Sequence, residues 1–344
     1  MDHIKKAGPV FVFAICKGTQ DEMEKTVAGT FGGDIERQLD QAKVLIKSAT
    51  TLASHYLRFV ILVDQDYLFD DLSNKLSMWP VGFRKRFELI KRHVWFPEDR
   101  QEFRTIYRVC STERVFIISQ LPDFDSVIYL DTDMIFMRPP EDLWNHFYQF
   151  DSHQLCGMAP NLNHYDSPKI KFPYYGSTGL NAGLWMMNLT RMRNFPGGWI
   201  NTCMNIYEKY REFRYFNLID QDVANVIFSQ SPRYLFELEC QWNYRLFLCS
   251  KGVNKCKESN QKGISLVHGN ALSFYAEKDM KLKRLYEVWR DFQVGGSLRE
   301  LLNTLKISLK EVDELQLKSD CSKIRDFDNI LTKGLERYIQ SLEH

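Results

Sequence analysis

The chain has 344 residues, of which 44% are hydrophobic and 26% charged, a composition typical of globular proteins. Its 45 basic and 44 acidic residues leave a net charge of +1, which argues against a nucleic-acid-binding protein, because such proteins carry a basic excess. The longest apolar stretch near the start, residues 9–16, is shorter than the roughly 20 residues of a spanning helix and lacks the layout of a signal peptide, so we expect no membrane span in this chain.

The first half of the sequence predicts strands that alternate with helices. Apolar and β-branched runs predict strands at residues 10–16, 57–63, 93–96 and 127–130. Helical spacing of apolar residues predicts a helix at residues 35–53, and residues 113–121 also resemble a helix. This alternation is typical of a doubly wound α/β sheet, in which ligands bind beyond the carboxyl ends of the strands.

The second half predicts strands at residues 183–187 and 265–267, and helices at residues 199–211, 222–228 and 280–292. The tail from residue 297 to residue 342 is charged, helical in pattern and without a chemical motif. We therefore predict one catalytic domain at residues 1–293 and a helical C-terminal extension at residues 294–344.

A pair of carboxylates follows the fourth predicted strand. In Asp131-Thr132-Asp133 the two acids share a face of extended chain, so both can point at one ion. Burying two carboxylates between apolar runs is costly unless a cation pairs with them, and oxygen ligands suit magnesium or manganese. The alternative is an ordinary surface turn.

His268 and Gly269 follow the predicted strand at residues 265–267, and Asn270 comes next. A histidine at a strand end is often structural, but beside the aspartate pair it is a candidate third ligand. A nitrogen ligand favours manganese over magnesium, which stays the alternative.

Two further motifs carry polar groups suited to a sugar. Asp220-Gln221-Asp222 opens a predicted helix, where an aspartate can also serve as an ordinary N-cap. Asn181-Ala182-Gly183 precedes a strand and follows a glycine-rich loop, but the loop lacks the Gly-Lys-Ser/Thr element of a phosphate-binding loop. We expect the asparagine to bind sugar hydroxyls.

The order of these motifs resembles that of the family 8 retaining glycosyltransferases, and more specifically the glucoside xylosyltransferases. The central run is Ile-Tyr-Leu-Asp-Thr-Asp-Met-Ile-Phe-Met-Arg-Pro at residues 128–139. The resemblance extends in one order over residues 10–292, and its most specific part is Cys-Gln-Trp-Asn-Tyr-Arg at residues 240–245. The chain departs from the family at Ile219, where we expect glycine, and at Ala271, where we expect a basic residue.

The resemblance implies a GT-A fold, a Rossmann-like mixed sheet flanked by helices. It also implies transfer of xylose from UDP-xylose to glucose that is O-linked to EGF-like repeats, with retention at the anomeric carbon, in the lumen of the secretory pathway. The alternatives are a UDP-glucose or UDP-galactose donor, or an inactive carbohydrate-binding scaffold.

The resemblance also assigns roles to single residues. Asp131, Asp133 and His268 would hold the metal, and Gln221 would stabilise an oxocarbenium ion at the anomeric carbon, with Asp220 close by. The resemblance also implies that five residues contact the donor, namely Thr132, Arg114, Asn181, Gly269 and Asn270. Arg114 could instead be an exposed helix arginine.

Three aromatic residues and one leucine are candidates for the walls of the sugar sites. Trp242 and Tyr175 are predicted either to line the acceptor site or to pack in the core. Leu184 and Trp185 are predicted to form the wall that excludes a hydroxymethyl group, although strand alternation could turn Trp185 into the core.

The eight cysteines favour an oxidising compartment, because three of them cluster at Cys240, Cys249 and Cys256 without a zinc-binding pattern. With Cys110 these occupy positions where the resembled family also has cysteine. We predict two disulfides, Cys249–Cys256 around a short polar loop and Cys110–Cys240.

Overall fold

The structure is a computed structural model that describes residues 8–25 and 34–343. The described chain forms a seven-stranded sheet and a three-stranded sheet, with helices against both faces of the larger one. The ten strands are β1 (Val10–Ile15), β2 (Leu57–Val63), β3 (Phe87–His93), β4 (Ser126–Leu130), β5 (Met134–Phe136), β6 (Cys156–Pro160), β7 (Leu180–Asn188), β8 (Leu235–Glu237), β9 (Tyr244–Arg245) and β10 (Leu266–His268).

The α-helices of the described residues are α1 (Gln20–Lys25), α2 (Ile35–Leu52), α3 (Asp66–Ser77), α4 (Val81–Arg84), α5 (Ile117–Gln120), α6 (Pro140–Trp144), α7 (Leu189–Arg193), α8 (Trp199–Tyr210), α9 (Asp220–Gln230), α10 (Glu258–Lys262), α11 (Met280–Asp291), α12 (Leu298–Glu314) and α13 (Phe327–Ser341). Short 3₁₀ helices span Glu98–Arg104, Glu113–Phe116, Asn145–Gln149, Pro232–Tyr234, Cys240–Asn243, Leu246–Gly252, Asn270–Leu272 and Cys321–Lys323.

The larger sheet has the strand order β3-β2-β1-β4-β7-β6-β8. The first four strands of that order are parallel, whereas β7 runs antiparallel to both β4 and β6. The smaller sheet has the order β5-β10-β9, and His268 of β10 pairs with Met134 of β5. The turn from β4 to β5 connects the two sheets, and this turn carries the aspartate pair.

The predicted α/β architecture is confirmed, since buried β1, β2 and β4 and the amphipathic α2 occupy the predicted segments almost to the residue. The strand predicted at residues 93–96 is wrong: β3 lies at Phe87–His93. Among the described strands this edge strand pairs only with β2, and it exposes Glu88, Lys91 and His93, so it lacks the apolar run by which buried strands are found.

The helical tail packs closely on the catalytic region. Helix α12 lies against α11, and the Lys281 ammonium pairs with Asp313 and Asp328, one on each tail helix. Gly334 of α13 approaches the backbone carbonyl of Met137 so closely that a Cβ would lie 2.7 Å from it. The boundary at residue 293/294, which falls between α11 and α12, stays our proposal.

Both predicted disulfides are wrong. The structure pairs Cys16 with Cys110, Cys240 with Cys256, and Cys249 with Cys321. The Lys255 amide donates to the Leu248 carbonyl, so the polar loop folds back and places Cys256 against Cys240. Cys249 then meets Cys321, in the tail to which the sequence assigned no role.

Two further findings concern membranes and glycosylation. Within the described ranges no helix combines the length and apolar character needed to cross a membrane. The sequon asparagine Asn188 is buried, and its side chain accepts a hydrogen bond from the Arg191 amide as the N-cap of α7. We expect it to remain unglycosylated for that reason.

Candidate active site

Asp131, Asp133 and His268 come together where the two sheets meet. Asp131 follows the last residue of β4, Asp133 precedes β5, and His268 ends β10, the neighbour of β5. The His268 Nε2 atom lies 3.4 Å from Asp131 Oδ2 and 3.4 Å from Asp133 Oδ1. One ligand atom from each residue lies within 4.8 Å of the other two. Two oxygens and one nitrogen at this separation can converge on a single divalent cation.

The carboxylates dominate the electrostatics of this cluster. Burial disfavours the charged imidazole, but Asp133 and Asp131 overcome that effect and raise the pKa of His268 to about 9. Burial likewise opposes ionisation of Asp131, yet Arg114 and His268 hold its pKa well below the usual range. The site therefore attracts cations strongly, and without a metal the imidazole itself is the cation.

This competition predicts a pH-dependent metal affinity. A metal at Nε2 must displace the proton, so below the His268 pKa the apparent affinity should rise about tenfold for each unit of increasing pH. Calorimetric titration with Mn²⁺ at pH 6, 7 and 8 measures this rise, and in a His268→Gln variant it should flatten. An affinity of the wild type that stays constant over this range would contradict the assignment of His268.

Arg114 lies between two acids and is not the exposed helix arginine of the alternative interpretation. Its side chain is 7% exposed, with Nη2 2.8 Å from Asp131 Oδ1 and Nε 3.2 Å from Asp220 Oδ2. A further nitrogen donates to the Ala182 carbonyl, and the guanidinium stacks over the Tyr129 ring. Removing it would leave the buried Asp220 carboxylate without its cation and the half-buried Asp131 carboxylate without one of its two cationic neighbours, and an unpaired buried charge is usually strongly destabilising.

Gln221 is held in one orientation by its neighbours. Its Oε1 accepts hydrogen bonds from Asn181 Nδ2 at 2.8 Å and from the Ala182 amide at 3.1 Å. Its Nε2 donates to the Tyr165 hydroxyl, which donates in turn to Asp222. Burial raises the pKa of Asp222 to about 7, although the bond from Tyr165 opposes the rise.

Asp220 and its predecessor are also unusual. Burial raises the pKa of Asp220 to about 6 in spite of Arg114, and Asp131 contributes to the rise. Ile219 has a φ of 27°, in the region that favours glycine and strains a β-branched residue. The sequence departure from glycine therefore coincides with backbone strain next to the candidate catalytic acid.

A cavity of about 600 Å³ joins these groups. Among the residues that line it are nearly all the predicted site residues, namely Arg114, Asp131, Thr132, Asp133, Asn181, Asp220, Gln221, His268 and Asn270. Gly269 is buried but does not line the cavity, and its amide donates to the Asp133 carbonyl at 2.7 Å, which fixes the turn that carries the aspartate pair. Gln38 and Tyr107 line the cavity too, next to the carboxyl end of β1.

The four candidate wall residues do not line this cavity. Trp185 packs against Trp199, with ring centroids 6.1 Å apart, and Leu184 is wholly buried. Trp242 is buried and lines a separate cavity with His146 and Arg138, so its role at an acceptor site stays a prediction. Both tryptophans match the alternative prediction that they pack in the core. The alternation of side chains along β7 and the 3₁₀ helix at Cys240–Asn243 direct them away from the polar cavity.

Tyr175 is half-buried outside the cavity as well, with burial raising its pKa to about 12.

Three functional candidates were missed from the sequence. Asn243 and Arg245 lie in the motif at residues 240–245, but no role was assigned to them, and Tyr165 gave no signal at all. Asn243 is buried, and its Oδ1 is 2.9 Å from His268 Nδ1. A polar residue between two aromatic residues, Trp242 and Tyr244, was the signal that could have identified Asn243.

Arg245 is the strand neighbour of His268, since the two residues pair across β9 and β10. It is 1% exposed, donates to the backbone carbonyl of Asn161, and has no carboxylate partner in the part of the chain that the structure describes. Burial lowers its pKa to about 10, so it keeps its charge at neutral pH. The cavity thus contains a guanidinium that can pair with an anionic ligand.

Comparisons of this chain with a family profile, with curated sequences and with solved structures all match glycosyltransferases. The family profile described as glycosyl transferase family 8 matches residues 33–271. Glucoside xylosyltransferase 2 of Mus musculus is 36% identical over 76% of this chain and 61% of its own length. Glucoside xylosyltransferase 1 of Danio rerio is 32% identical over 87% of this chain and 75% of its own length.

The chain therefore spans only about three fifths of the mouse relative's length. Among solved structures, mouse xyloside xylosyltransferase 1 in its apo form matches with a TM-score of 0.55 and 19% identity, over 77% of this chain and 98% of that one. This likeness supports the fold alone, which is the predicted GT-A type.

Proposed function

This chain belongs to glycosyl transferase family 8, and on that premise we propose that it transfers xylose from UDP-xylose to glucose O-linked to EGF-like repeats, with retention at the anomeric carbon. The observation that carries the proposal is the cluster of Asp131, Asp133 and His268 in a cavity large enough for a nucleotide sugar. The named xylosyltransferase relatives support the choice of sugar.

The residues of the cluster fit a divalent metal. Two carboxylate oxygens suit Mn²⁺ or Mg²⁺, and the imidazole nitrogen favours Mn²⁺. Asp131, Asp133 and His268 would hold the ion, which when bound would act as a Lewis acid and neutralise charge on the departing diphosphate. Arg245, whose charge no carboxylate of the described residues offsets, would add a second positive centre nearby.

The chain's own groups orient the donor. The nucleoside would lie at the carboxyl ends of β1 and β4, beside Gln38 and Tyr107. Thr132 and Asn270 line the same cavity and would contact the donor, with Gly269 fixing the turn beneath it. The buried Asn270 Oδ1 has no partner within the described ranges, so it can accept a hydrogen bond from the ligand.

The transferred sugar would lie over Asn181 and Gln221. Gln221 is a neutral amide whose oxygen already accepts two hydrogen bonds, so it is a poor nucleophile and is better suited to stabilise a short-lived oxocarbenium ion. Asp220 lies beside it and adds a carboxylate. The acceptor hydroxyl would then attack from the face that UDP leaves.

The disulfides support a luminal location. Three disulfides close within the described chain, and such bonds persist in oxidising compartments. We propose that the protein works in the lumen of the endoplasmic reticulum or Golgi, where glucosylated EGF-like repeats would be its acceptor proteins.

Release of UDP from a panel of UDP-sugars tests this function. We expect Mn²⁺-dependent turnover with kcat/KM highest for UDP-xylose. Turnover that is equal with UDP-glucose or UDP-galactose would contradict the donor assignment and leave the family assignment standing. Binding of UDP-sugars without any turnover would support the inactive scaffold instead.

A further inference from the structure

A chain of side-chain amides, of which Asn243 and Gln221 are buried and Asn181 is half-buried, connects the candidate metal ligand to the residues proposed to lie beneath the sugar. Asn243 Oδ1 is 2.9 Å from His268 Nδ1, and Asn243 Nδ2 donates to Asn181 Oδ1 at 2.8 Å. Asn181 Nδ2 donates in turn to Gln221 Oε1 at 2.8 Å. Asn243 is 1% exposed and His268 is 3% exposed, so water cannot substitute freely for the bond between them.

Two backbone amides determine the direction of every bond in this chain. The Ala182 amide lies 3.1 Å from Gln221 Oε1, and the Gly183 amide lies 3.2 Å from Asn181 Oδ1. Because a backbone N–H can only donate, the atoms that face these amides must be oxygens. Asn181 therefore presents its oxygen to Asn243, and Asn243 must donate to that oxygen from its NH₂ group.

The orientation of Asn243 in turn determines the tautomer of His268. With its NH₂ group used on Asn181, Asn243 has only its oxygen left for the imidazole, so His268 Nδ1 must carry a hydrogen. In the neutral ring the lone pair then lies on Nε2, the atom that faces Asp131 and Asp133 at 3.4 Å.

We propose that Asn243 is a positioning residue that couples the metal site to the sugar site. It holds His268 in the tautomer that presents the Nε2 lone pair to the metal, and it fixes Asn181 so that the Gln221 amide is held beneath the transferred sugar. The inference rests on the proposed function, in that the metal and the sugar are the ligands proposed there.

Two variants separate the two halves of this role. Asn243→Leu has a similar size but cannot accept from His268 Nδ1 or donate to Asn181. Asn243→Asp can still accept from His268 Nδ1, but its carboxylate repels Asn181 Oδ1. A merely structural role would weaken both functions in proportion to lost stability, which thermal unfolding of each variant measures.

The readouts are Mn²⁺ affinity without donor, by calorimetry, and kcat at saturating Mn²⁺ and UDP-xylose. Asn243→Leu should lose about 10- to 100-fold in Mn²⁺ affinity, the usual effect of removing a partner of a metal-binding histidine. Asn243→Asp should keep Mn²⁺ affinity at or above the wild-type value and lose at least about tenfold in kcat, because Asn181 and Gln221 lose their alignment.

The half-buried Asn254 bonds to Tyr244 and Ser259 outside the cavity, so Asn254→Leu is the matched control and should change neither readout. Wild-type Mn²⁺ affinity in Asn243→Leu, or wild-type kcat in Asn243→Asp, would overturn the proposal. If the wild type turns over none of the UDP-sugars, the proposed function fails, and the calorimetric comparison alone then decides the role of Asn243 in metal binding.

Discussion

Replacing Asp133 by alanine should reduce sugar transfer by at least about a thousandfold while the fold survives. The change removes one of the two carboxylates proposed as metal ligands, from a site that would neutralise a leaving diphosphate, and such stabilisation is worth several kcal/mol. The side chain is 20% exposed in the turn between β4 and β5, so its loss opens no cavity in the core. Initial rates over a range of Mn²⁺ concentrations, with thermal unfolding alongside, give the result.

A surface aspartate provides the control for this variant. The Asp99 side chain is 79% exposed and, among the described residues, approaches only Arg100 as an ion-pair partner, at 3.9 Å, so Asp99→Ala should leave transfer unchanged. If Asp133→Ala transferred sugar at the wild-type rate without added metal, the metal site itself would be wrong.

The second large effect on Mn²⁺ binding and sugar transfer should come from replacing Gly183 by alanine, which adds a single methyl group. A Cβ at Gly183 would lie 2.3 Å from His268 Cε1 and 3.0 Å from Asp131 Oδ2, and both of these residues are proposed metal ligands. His268 cannot move aside without losing its bond to Asn243. We expect Gly183→Ala to weaken Mn²⁺ binding at least about tenfold and transfer on the order of a hundredfold, because small displacements of such groups have effects of this size.

Gly82 is the matched control, since a Cβ there would meet nothing within 4 Å. Neither glycine has a positive φ, so alanine causes no backbone strain at either position. Gly82→Ala should behave like the wild type. A Gly183→Ala protein with normal Mn²⁺ affinity and normal transfer would show that His268 and Asp131 do not form the site.

The parts of the site that follow from strand geometry could be predicted. A buried strand that ends at Asp131 places that residue at the carboxyl edge of a sheet, and the same argument applies to His268 at the end of β10. The local sequence pattern is sufficient to predict these two positions, because the apolar run of each strand and the polar residue at its end are adjacent in sequence.

Contacts between distant segments could not be predicted in this way. Cys249 and Cys321 are 72 residues apart, and only the packing of the tail brings them together. Arg114 precedes Asp220 by more than a hundred residues, and nothing near Arg114 in sequence indicates that its guanidinium is buried between Asp131 and Asp220. The face on which Trp185 lies depends on the register of β7 with β4, which the sequence leaves open.

The most direct test of the central claim is the mass of a glucosylated EGF-like repeat after incubation with Mn²⁺ and each UDP-sugar in turn. Xylose lacks the C6 hydroxymethyl group of glucose, so an enzyme that prefers UDP-xylose must exclude that group sterically. Steric exclusion can discriminate between the two donors by more than the roughly 100-fold that a pocket reaches when it merely makes no contact with the extra group. We expect addition of one pentose from UDP-xylose and little or no hexose from UDP-glucose or UDP-galactose. Addition of hexose as efficiently as pentose, or no addition from any donor, would contradict a glucoside xylosyltransferase.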